Sequence, residues 1–201
     1  MKLYDFYFAP NPRKVRVFLA EKGIEVPLET VDFTQGENRT PEFLAKNPMG
    51  SVPVLELDDG SFLTESLAII EYLDELHPDP PMIGTAPLER ARVRELERLA
   101  EAGVFNRVAR IFFHTSPVFA KARRLPEIAE LAREGLPHAL RVLDARIGES
   151  PFAAGDRPTI ADCTLFAAFE HGRLAGMELG TGFENLARWY RAFRERPSAR
   201  A

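Results

Sequence analysis

The chain has 201 residues, 45% hydrophobic and 28% charged, enough for one large globular domain or two small ones with proper cores. A formal net charge of -4 at pH 7 argues against a nucleic-acid surface, because phosphate binding needs concentrated Lys and Arg. The single cysteine, Cys163, excludes an intramolecular disulfide and a CxxC redox or zinc pair.

The first part of the chain carries alternating strand and helix signals. Lys2–Tyr7 alternates like a strand, and residues 12–22 predict a helix that ends at Gly23. Leu28–Phe33 predicts a second short strand. Because a crossover helix returns the chain in the same direction, we expect these two strands to be parallel.

Further helix and turn signals complete this first part. Thr40 is placed to cap a helix that begins at Pro41, and Ser66 to cap another that runs to Pro78. Between them, residues 54–63 predict a hairpin that turns at Asp58-Asp59-Gly60. The order βαβαββα predicts a four-stranded mixed sheet flanked by helices.

The second part of the chain reads almost entirely as helix. It follows the segment PDPPMIGTAP, whose four prolines and one glycine indicate a stiff connection. We expect an α/β domain at residues 1–77, a linker at 78–86 and an all-helical bundle at 87–201. The predicted helices of the bundle cover residues 87–114, 126–147, 159–175 and 184–195.

Other chemistry-bearing residues point to structural roles. Thr159 and Asp162 have the spacing of a capping box, and Cys163 beside them is interpreted as a small buried apolar group rather than a reactive thiol. The four histidines show no metal-ligand spacing, so we expect no metal site. With no signal-peptide pattern and no membrane-length apolar window, the sequence favours a cytoplasmic protein without membrane contact.

Three stretches, in this order and spacing, carry a family resemblance. They are FAPNPRKVRVFLAEKG at 8–23, NPMGSVPVLELDDGSFLTESLAIIEYL at 47–73 and GDRPTIADCTLF at 155–166. Together they resemble the cytosolic glutathione transferases, with bacterial nu-class members among the similar ones. The resemblance covers essentially the whole chain. It implies a thioredoxin-like domain and a helical domain, glutathione as co-substrate, small-molecule second substrates and a homodimer.

The resemblance also implies a glutathione site in the first domain. Val52-Pro53 matches a cis peptide whose Val backbone pairs with the cysteinyl part of glutathione; an ordinary trans edge proline is the alternative. Glu65-Ser66 matches the pair that holds the γ-glutamyl end, although Ser66 also reads as a plain N-cap after a solvated acid. The full set of implied glutathione contacts is Ala9, Arg39, Ser51, Val52, Pro53, Glu65 and Ser66.

The usual thiolate activator is missing from the turn before the first helix. The position where many relatives carry serine is Ala9, and the position that cysteine-type relatives use is Asn11. Asn11 precedes Pro12, so it reads as an N-cap whose amide donors could also bind a thiolate. We therefore assign the catalytic role to Asn11. Tyr7 is the alternative, and strand or core packing is the favoured interpretation for it.

The resemblance places the second substrate against the helical domain. FNRVARIFFH, residues 105–114, is the expected wall, with aromatic and cationic side chains suited to an apolar or mildly anionic partner. Core packing explains Phe112 and Phe113 equally well. The residues assigned to this pocket are Phe105, Arg107, Ile111 and His114.

The sequence thus predicts a glutathione-dependent transferase or thiol–disulfide reductase. One alternative is a non-catalytic binding or regulatory protein of the stringent-starvation type, favoured by the absence of serine at Ala9 and disfavoured by the intact Val52-Pro53 and Glu65-Ser66 pairs. Another alternative is a zeta-like isomerase that uses glutathione as a cofactor, although the Ser-Ser-Cys turn of that class is missing.

Overall fold

The computed structural model describes residues 1–119 and 122–201, which form two compact units. Met1–Pro81, together with Arg200–Ala201, makes the N-terminal unit, and Met82–Ala199 makes the helical unit. Within the described ranges, no helix is both long and apolar enough to span a bilayer.

A four-stranded mixed sheet organises the N-terminal unit. The strand order is β2-β1-β3-β4, with β1 parallel to β2 and antiparallel to β3, and with β3 antiparallel to β4. The predicted mixed sheet and hairpin are therefore confirmed. The strands are β1 Lys2–Asp5, β2 Leu28–Thr30, β3 Val54–Glu56 and β4 Phe62–Thr64.

Three helices cover this sheet, and two of their predicted boundaries are confirmed. Gly23 ends the first helix in a left-handed conformation with φ of 65°. Thr40 caps the second, because its Oγ1 accepts the N–H of Phe43 at 3.3 Å. The helices are α1 Pro10–Lys22, α2 Pro41–Lys46 and α3 Ser66–Leu76.

The sheet alternation separates two layers of packing. Tyr4 and Val54 are paired across β1 and β3 and lie in one buried cluster with Phe43 of α2. Leu3 and Leu55, the next cross-strand pair, point to the opposite face and are fully buried. Both faces of the sheet therefore carry buried side chains, and this packing holds the strands in position.

Both early strands are shorter than predicted. β1 ends at Asp5, and Tyr7 lies in the following turn with 56% of its surface exposed, so its predicted strand or core position is wrong. β2 ends at Thr30, because the Asp32 carboxylate accepts the N–H and Oγ1–H of Thr34 at 2.7 and 2.6 Å and folds the chain into a turn.

The helical unit confirms the predicted all-helical bundle, with one difference. The helix expected over residues 87–114 contains a π-helical segment, Leu99–Phe105, between two α-helices. A π turn holds more residues than an α turn, so it changes which side chains face the core. The α-helices are α4 Pro87–Arg98, α5 Asn106–Thr115, α6 Pro126–Ile147, α7 Ile160–Leu174 and α8 Glu184–Arg194.

The predicted capping box of α7 is confirmed. The Asp162 carboxylate accepts the Thr159 N–H at 2.8 Å and the Thr159 hydroxyl at 3.0 Å. It also accepts the Ala153 N–H and the Trp189 indole N–H, each at 2.8 Å. Burial raises the pKa of Asp162, and these four donors oppose that rise. Cys163 is fully buried on α7, as expected.

Candidate functional site

The candidate site begins at the residue before β3. The Val52-Pro53 peptide is cis, as the resemblance implied. The Val52 side chain is buried in the cluster that contains Tyr4 and Phe43, and Ala9 packs against that same cluster. The turn between β1 and α1 therefore lies close to Val52.

The sheet register brings the start of α3 to the same place. Val54 is paired with Thr64 in the antiparallel ladder of β3 and β4. Because the two strands are antiparallel, Val52-Pro53 just before Val54 and Glu65-Ser66 just after Thr64 lie at the same end of this strand pair. The two motifs that the sequence singled out are thus neighbours.

The backbone of Val52 is left open. Only 6% of the residue is exposed, yet within the described ranges neither its N–H nor its C=O has a hydrogen-bond partner in the protein. Buried backbone groups are nearly always paired, so an unpaired N–H and C=O on one residue suit the backbone of an extended ligand.

The start of α3 corrects one prediction. Ser66 is the first helical residue rather than the cap; Glu65 occupies the N-cap position and makes no side-chain capping bond. Glu65 has φ of 69° and ψ of 119°, a conformation that costs about 1–3 kcal/mol for a residue with a side chain. Its carboxylate is exposed and has no cationic partner in the part of the chain that the structure describes. The first turn of α3 also presents unpaired backbone N–H groups.

Arg39 ends a short 3-10 turn, Glu37–Arg39, and is exposed. Among the described residues its one hydrogen bond is a long one of 3.5 Å from Nη1 to the C=O of Met49, and it has no carboxylate partner there. The guanidinium lies against Gly50, where an added Cβ would be 2.8 Å from Nη1. Arg39 is therefore available to an anion.

Asn11 occupies a different helix position from the one predicted. α1 begins at Pro10 with Ala9 as its N-cap, so Asn11 is the second helical residue and does not cap the helix. The prolines at positions 10 and 12 have no N–H. Asn11 therefore supplies the single backbone N–H of the first three helical positions. Within the described ranges its side-chain amide has no partner, and the residue is partly exposed.

Family models match both parts of the chain. The glutathione S-transferase N-terminal domain matches residues 3–81, and the glutathione S-transferase C-terminal domain matches residues 120–192. The chain is 34% identical over 205 residues to glutathione S-transferase 2 of Saccharomyces cerevisiae, covering 100% of this chain and 88% of that protein. This chain belongs to the glutathione S-transferase family.

Two further proteins are similar to this chain, and they carry different names. A crystal structure of a glutathione S-transferase domain-containing protein from Marinobacter aquaeolei superimposes with a TM-score of 0.91 at 37% identity, covering 98% of this chain and 99% of the other. A maleylacetoacetate isomerase of Pseudomonas aeruginosa is 35% identical over 171 residues, 82% of this chain and 78% of that protein. The structure and the relatives therefore agree on a two-unit transferase fold.

Tyr7 is held on the side of α1 that carries Arg16. The Arg16 Nη2 donates to the Tyr7 C=O at 2.9 Å, and its guanidinium carbon lies 5.0 Å from the centre of the Tyr7 ring. The same Arg16 makes a buried ion pair with Asp5 at 2.5 Å. Burial raises the pKa of Asp5, although the neighbouring guanidinium opposes the rise. Tyr7 is thus a partner of this buried pair.

The predicted second-substrate wall does not form one surface. Phe105 and Ile111 are buried in the core of the helical unit. Arg107 and His114 instead line a cleft of about 670 Å³ between α5 and α6, together with Arg110. Arg107 is fixed there, because its Nη1 donates to two backbone C=O groups of the π-helical segment, each at 2.8 Å.

Sequence reasoning missed two asparagines that support the Val52 loop. Asn38 and Asn47 are buried, and their side-chain amides bond to the backbone of Gly50 and Ser51. The signal that was available is an amide directly before Pro48-Met49-Gly50, at the end of a short helix. It could be interpreted only once the loop conformation was known.

Proposed function

We propose that this chain is a glutathione-dependent enzyme that acts on small electrophilic or disulfide substrates. The observation that carries the proposal is the unpaired backbone of Val52 beside Glu65-Ser66. In this arrangement the Val52 N–H and C=O pair with the cysteinyl backbone of glutathione. Ser66 and the N-terminus of α3 bind the γ-glutamyl carboxylate, and Glu65 binds its ammonium. Arg39 is proposed to bind the glycine carboxylate.

Pairing at Val52 directs the cysteine sulfur toward the neighbouring turn, where Asn11 is proposed to act. A free thiol with a pKa of about 8.5 is only roughly 3% ionised at pH 7. Lowering that pKa by about two units requires about 2.7 kcal/mol of preferential stabilisation of the thiolate. A hydrogen bond to a charged acceptor contributes about 1.5–3 kcal/mol and a helix N-terminus about 0.3–2. The Asn11 amide and backbone N–H can therefore supply this stabilisation of the thiolate without an ionisable activator.

The resulting thiolate supports two reactions. Attack on a carbon electrophile forms a carbon–sulfur bond and expels the leaving group with its electron pair. Attack on a disulfide sulfur forms a mixed disulfide and releases the other substrate sulfur as thiolate. A second glutathione thiolate then attacks the glutathione sulfur of the mixed disulfide, which forms oxidised glutathione and releases the remaining substrate sulfur as thiolate. The second substrate is proposed to lie against the helical unit, with Arg107 and His114 as the remaining candidates and Phe105 and Ile111 as supporting core residues.

A glutathione-dependent isomerase is the second candidate, favoured by the identity of 35% to the Pseudomonas aeruginosa maleylacetoacetate isomerase. An isomerase regenerates glutathione, whereas a transferase consumes it. A third candidate, a non-catalytic binding protein, would show neither reaction. A cytoplasmic homodimer remains our prediction from family resemblance.

A substrate panel tests these candidates. We expect glutathione to raise the melting temperature of the protein. An aryl halide should be converted with loss of one glutathione thiol per product, and a small disulfide should be reduced with formation of oxidised glutathione. Conversion of maleylacetoacetate without loss of thiol would favour the isomerase. No retention on immobilised glutathione, together with no thermal shift at millimolar glutathione, would contradict the proposal and favour the binding protein.

A further inference from the structure

Two buried asparagines hold the loop that leads to Val52. Asn47 is 3% exposed and Asn38 is 7% exposed, so both side chains lie beneath the loop rather than on the surface that a ligand would meet. Their amides are nevertheless engaged with loop backbone rather than with other side chains of the core. Their role therefore concerns the shape of the loop.

The side chain and backbone of Asn47 form hydrogen bonds with three successive loop residues. Its Nδ2 donates to the C=O of Ser51 at 2.8 Å and to the Ser51 Oγ at 3.0 Å. Its Oδ1 accepts the N–H of Met49 at 3.1 Å, and its backbone C=O accepts the N–H of Gly50 at 2.8 Å. Asn47 thus forms hydrogen bonds with each of the residues Met49, Gly50 and Ser51.

Asn38 holds the same loop from another side. Its Nδ2 donates to the C=O of Gly50 at 2.8 Å. Gly50 has φ of 62°, and an added Cβ would lie 2.8 Å from the backbone oxygen of Asn38, so no side chain fits there. The loop is therefore pressed against the Asn38 turn while its own side chains, those of Met49 and Ser51, remain exposed.

The hydrogen bonds from the two asparagines end at Ser51, directly before Val52, the residue on which the proposed function depends. The amides engage the backbone of Met49, Gly50 and Ser51, and the next residue, Val52, has its backbone groups open within the described ranges. Exposed loops are ordinarily mobile, and ordering one on ligand binding reduces affinity. A loop already ordered by buried amides avoids that loss.

We propose that Asn47 and Asn38 are positioning residues that fix the loop before Val52 and so set the affinity for glutathione. This inference rests on the proposed function of Val52 as the backbone partner of glutathione. The two asparagines act through the loop and do not touch the ligand.

Asn47→Asp tests the role with the smallest change of shape. An aspartate still accepts the Met49 N–H, but it cannot donate to the Ser51 C=O, and it places a negative oxygen against the Ser51 oxygens. We expect the Kd for glutathione to rise about tenfold by calorimetry. The KM for glutathione should rise similarly, while kcat at saturating glutathione stays within about twofold of wild type. A purely structural loss of folded protein would lower kcat and leave KM unchanged.

Asn185→Asp is the matched control. The Asn185 amide also donates to a backbone C=O, that of Asp144 at 3.1 Å, but it lies in the helical unit. We expect this variant to melt at a lower temperature with an unchanged KM. If Asn47→Asp does not fold, Asn38→Asp, which removes the single bond to Gly50, carries the test with an expected rise in KM of about threefold to tenfold.

The outcomes separate the two proposals. Wild-type binding of glutathione with unchanged KM in the folded asparagine variants would overturn the positioning role and leave the proposed function intact. Absence of glutathione binding by the wild type would overturn both. A raised KM in Asn185→Asp as well would show that the effect is a general consequence of lost stability, and would also overturn the positioning role.

Discussion

Replacing Asn11 by alanine should change the ionisation of bound glutathione. The substitution removes the side-chain donors and leaves the backbone N–H and the helix N-terminus of α1 in place. Lowering the thiol pKa by about two units requires roughly 2.7 kcal/mol of thiolate stabilisation, and the lost amide hydrogen bond accounts for about 1.5–3 kcal/mol. The remaining helix contribution is about 0.3–2 kcal/mol. We therefore expect the pKa of the bound thiol to rise by about one to two units.

The pH dependence of kcat/KM with an aryl halide measures this shift, since the rate follows the thiolate fraction. At a pH below both pKa values, Asn11→Ala should be about tenfold to a hundredfold slower than wild type, and the two rates should converge at alkaline pH. Alanine favours the helix, so the variant should remain folded. Superimposable profiles for the two proteins would refute the role of Asn11. A uniform decrease at every pH would show that Asn11 affects something other than thiolate ionisation.

Three other expectations follow from buried or unpaired charges. Glu65→Gln keeps the shape of the side chain but removes its charge, so glutathione should bind about tenfold more weakly; equal affinity by calorimetry would refute the ammonium contact. Lys22→Met removes the buried ion pair of 2.6 Å with Asp74 and the hydrogen bond of 2.7 Å to the Pro80 C=O, so the free energy of unfolding in urea should fall by about 3–5 kcal/mol; a fall below about 1 kcal/mol would contradict this. Burial lowers the pKa of His171 to about 4 from an unfolded value near 6.5. The unfolded state therefore binds more protons between these values, and stability should decrease by up to about 3 kcal/mol as the pH falls from about 6.5 to about 4. His171→Gln should reduce that slope in denaturation series, and an unaltered slope would show that other groups cause it.

The elements that sequence predicted well are those fixed by local chemistry. Gly23 and Thr40 mark helix boundaries because their conformational freedom and side-chain oxygen act within a few residues. The start of α1 was misplaced by two residues, because Pro10 and Pro12 are both acceptable near a helix start. Local preference alone could not choose between them.

The expected second-substrate wall is divided between the core and a cleft for a different reason. The wall was assigned from family resemblance and from its aromatic and cationic composition, neither of which says which side chains face the core. The segment Leu99–Phe105 is also π-helical, where one continuous helix over residues 87–114 was predicted. Phe105 and Ile111 are buried in the core, while Arg107 and His114 line the α5–α6 cleft. No residue pattern in the segment indicates a π turn.

The support of the Val52 loop also lay beyond sequence reasoning. The bonds of Asn38 and Asn47 join residues 2 to 12 positions apart in an irregular loop, so they have no period to detect. The family resemblance identified Val52-Pro53 and Glu65-Ser66, whereas the supporting amides became visible only through their contacts.

Calorimetric titration of the wild-type protein with glutathione and with the dipeptide Cys-Gly tests the central claim most directly. Cys-Gly retains the thiol and the glycine carboxylate but lacks the γ-glutamyl group that Glu65 and Ser66 are proposed to bind. We expect glutathione to bind with one site per chain, and Cys-Gly to bind at least about a hundredfold more weakly. Equal affinities, or no heat of binding with glutathione, would contradict the assignment of this site.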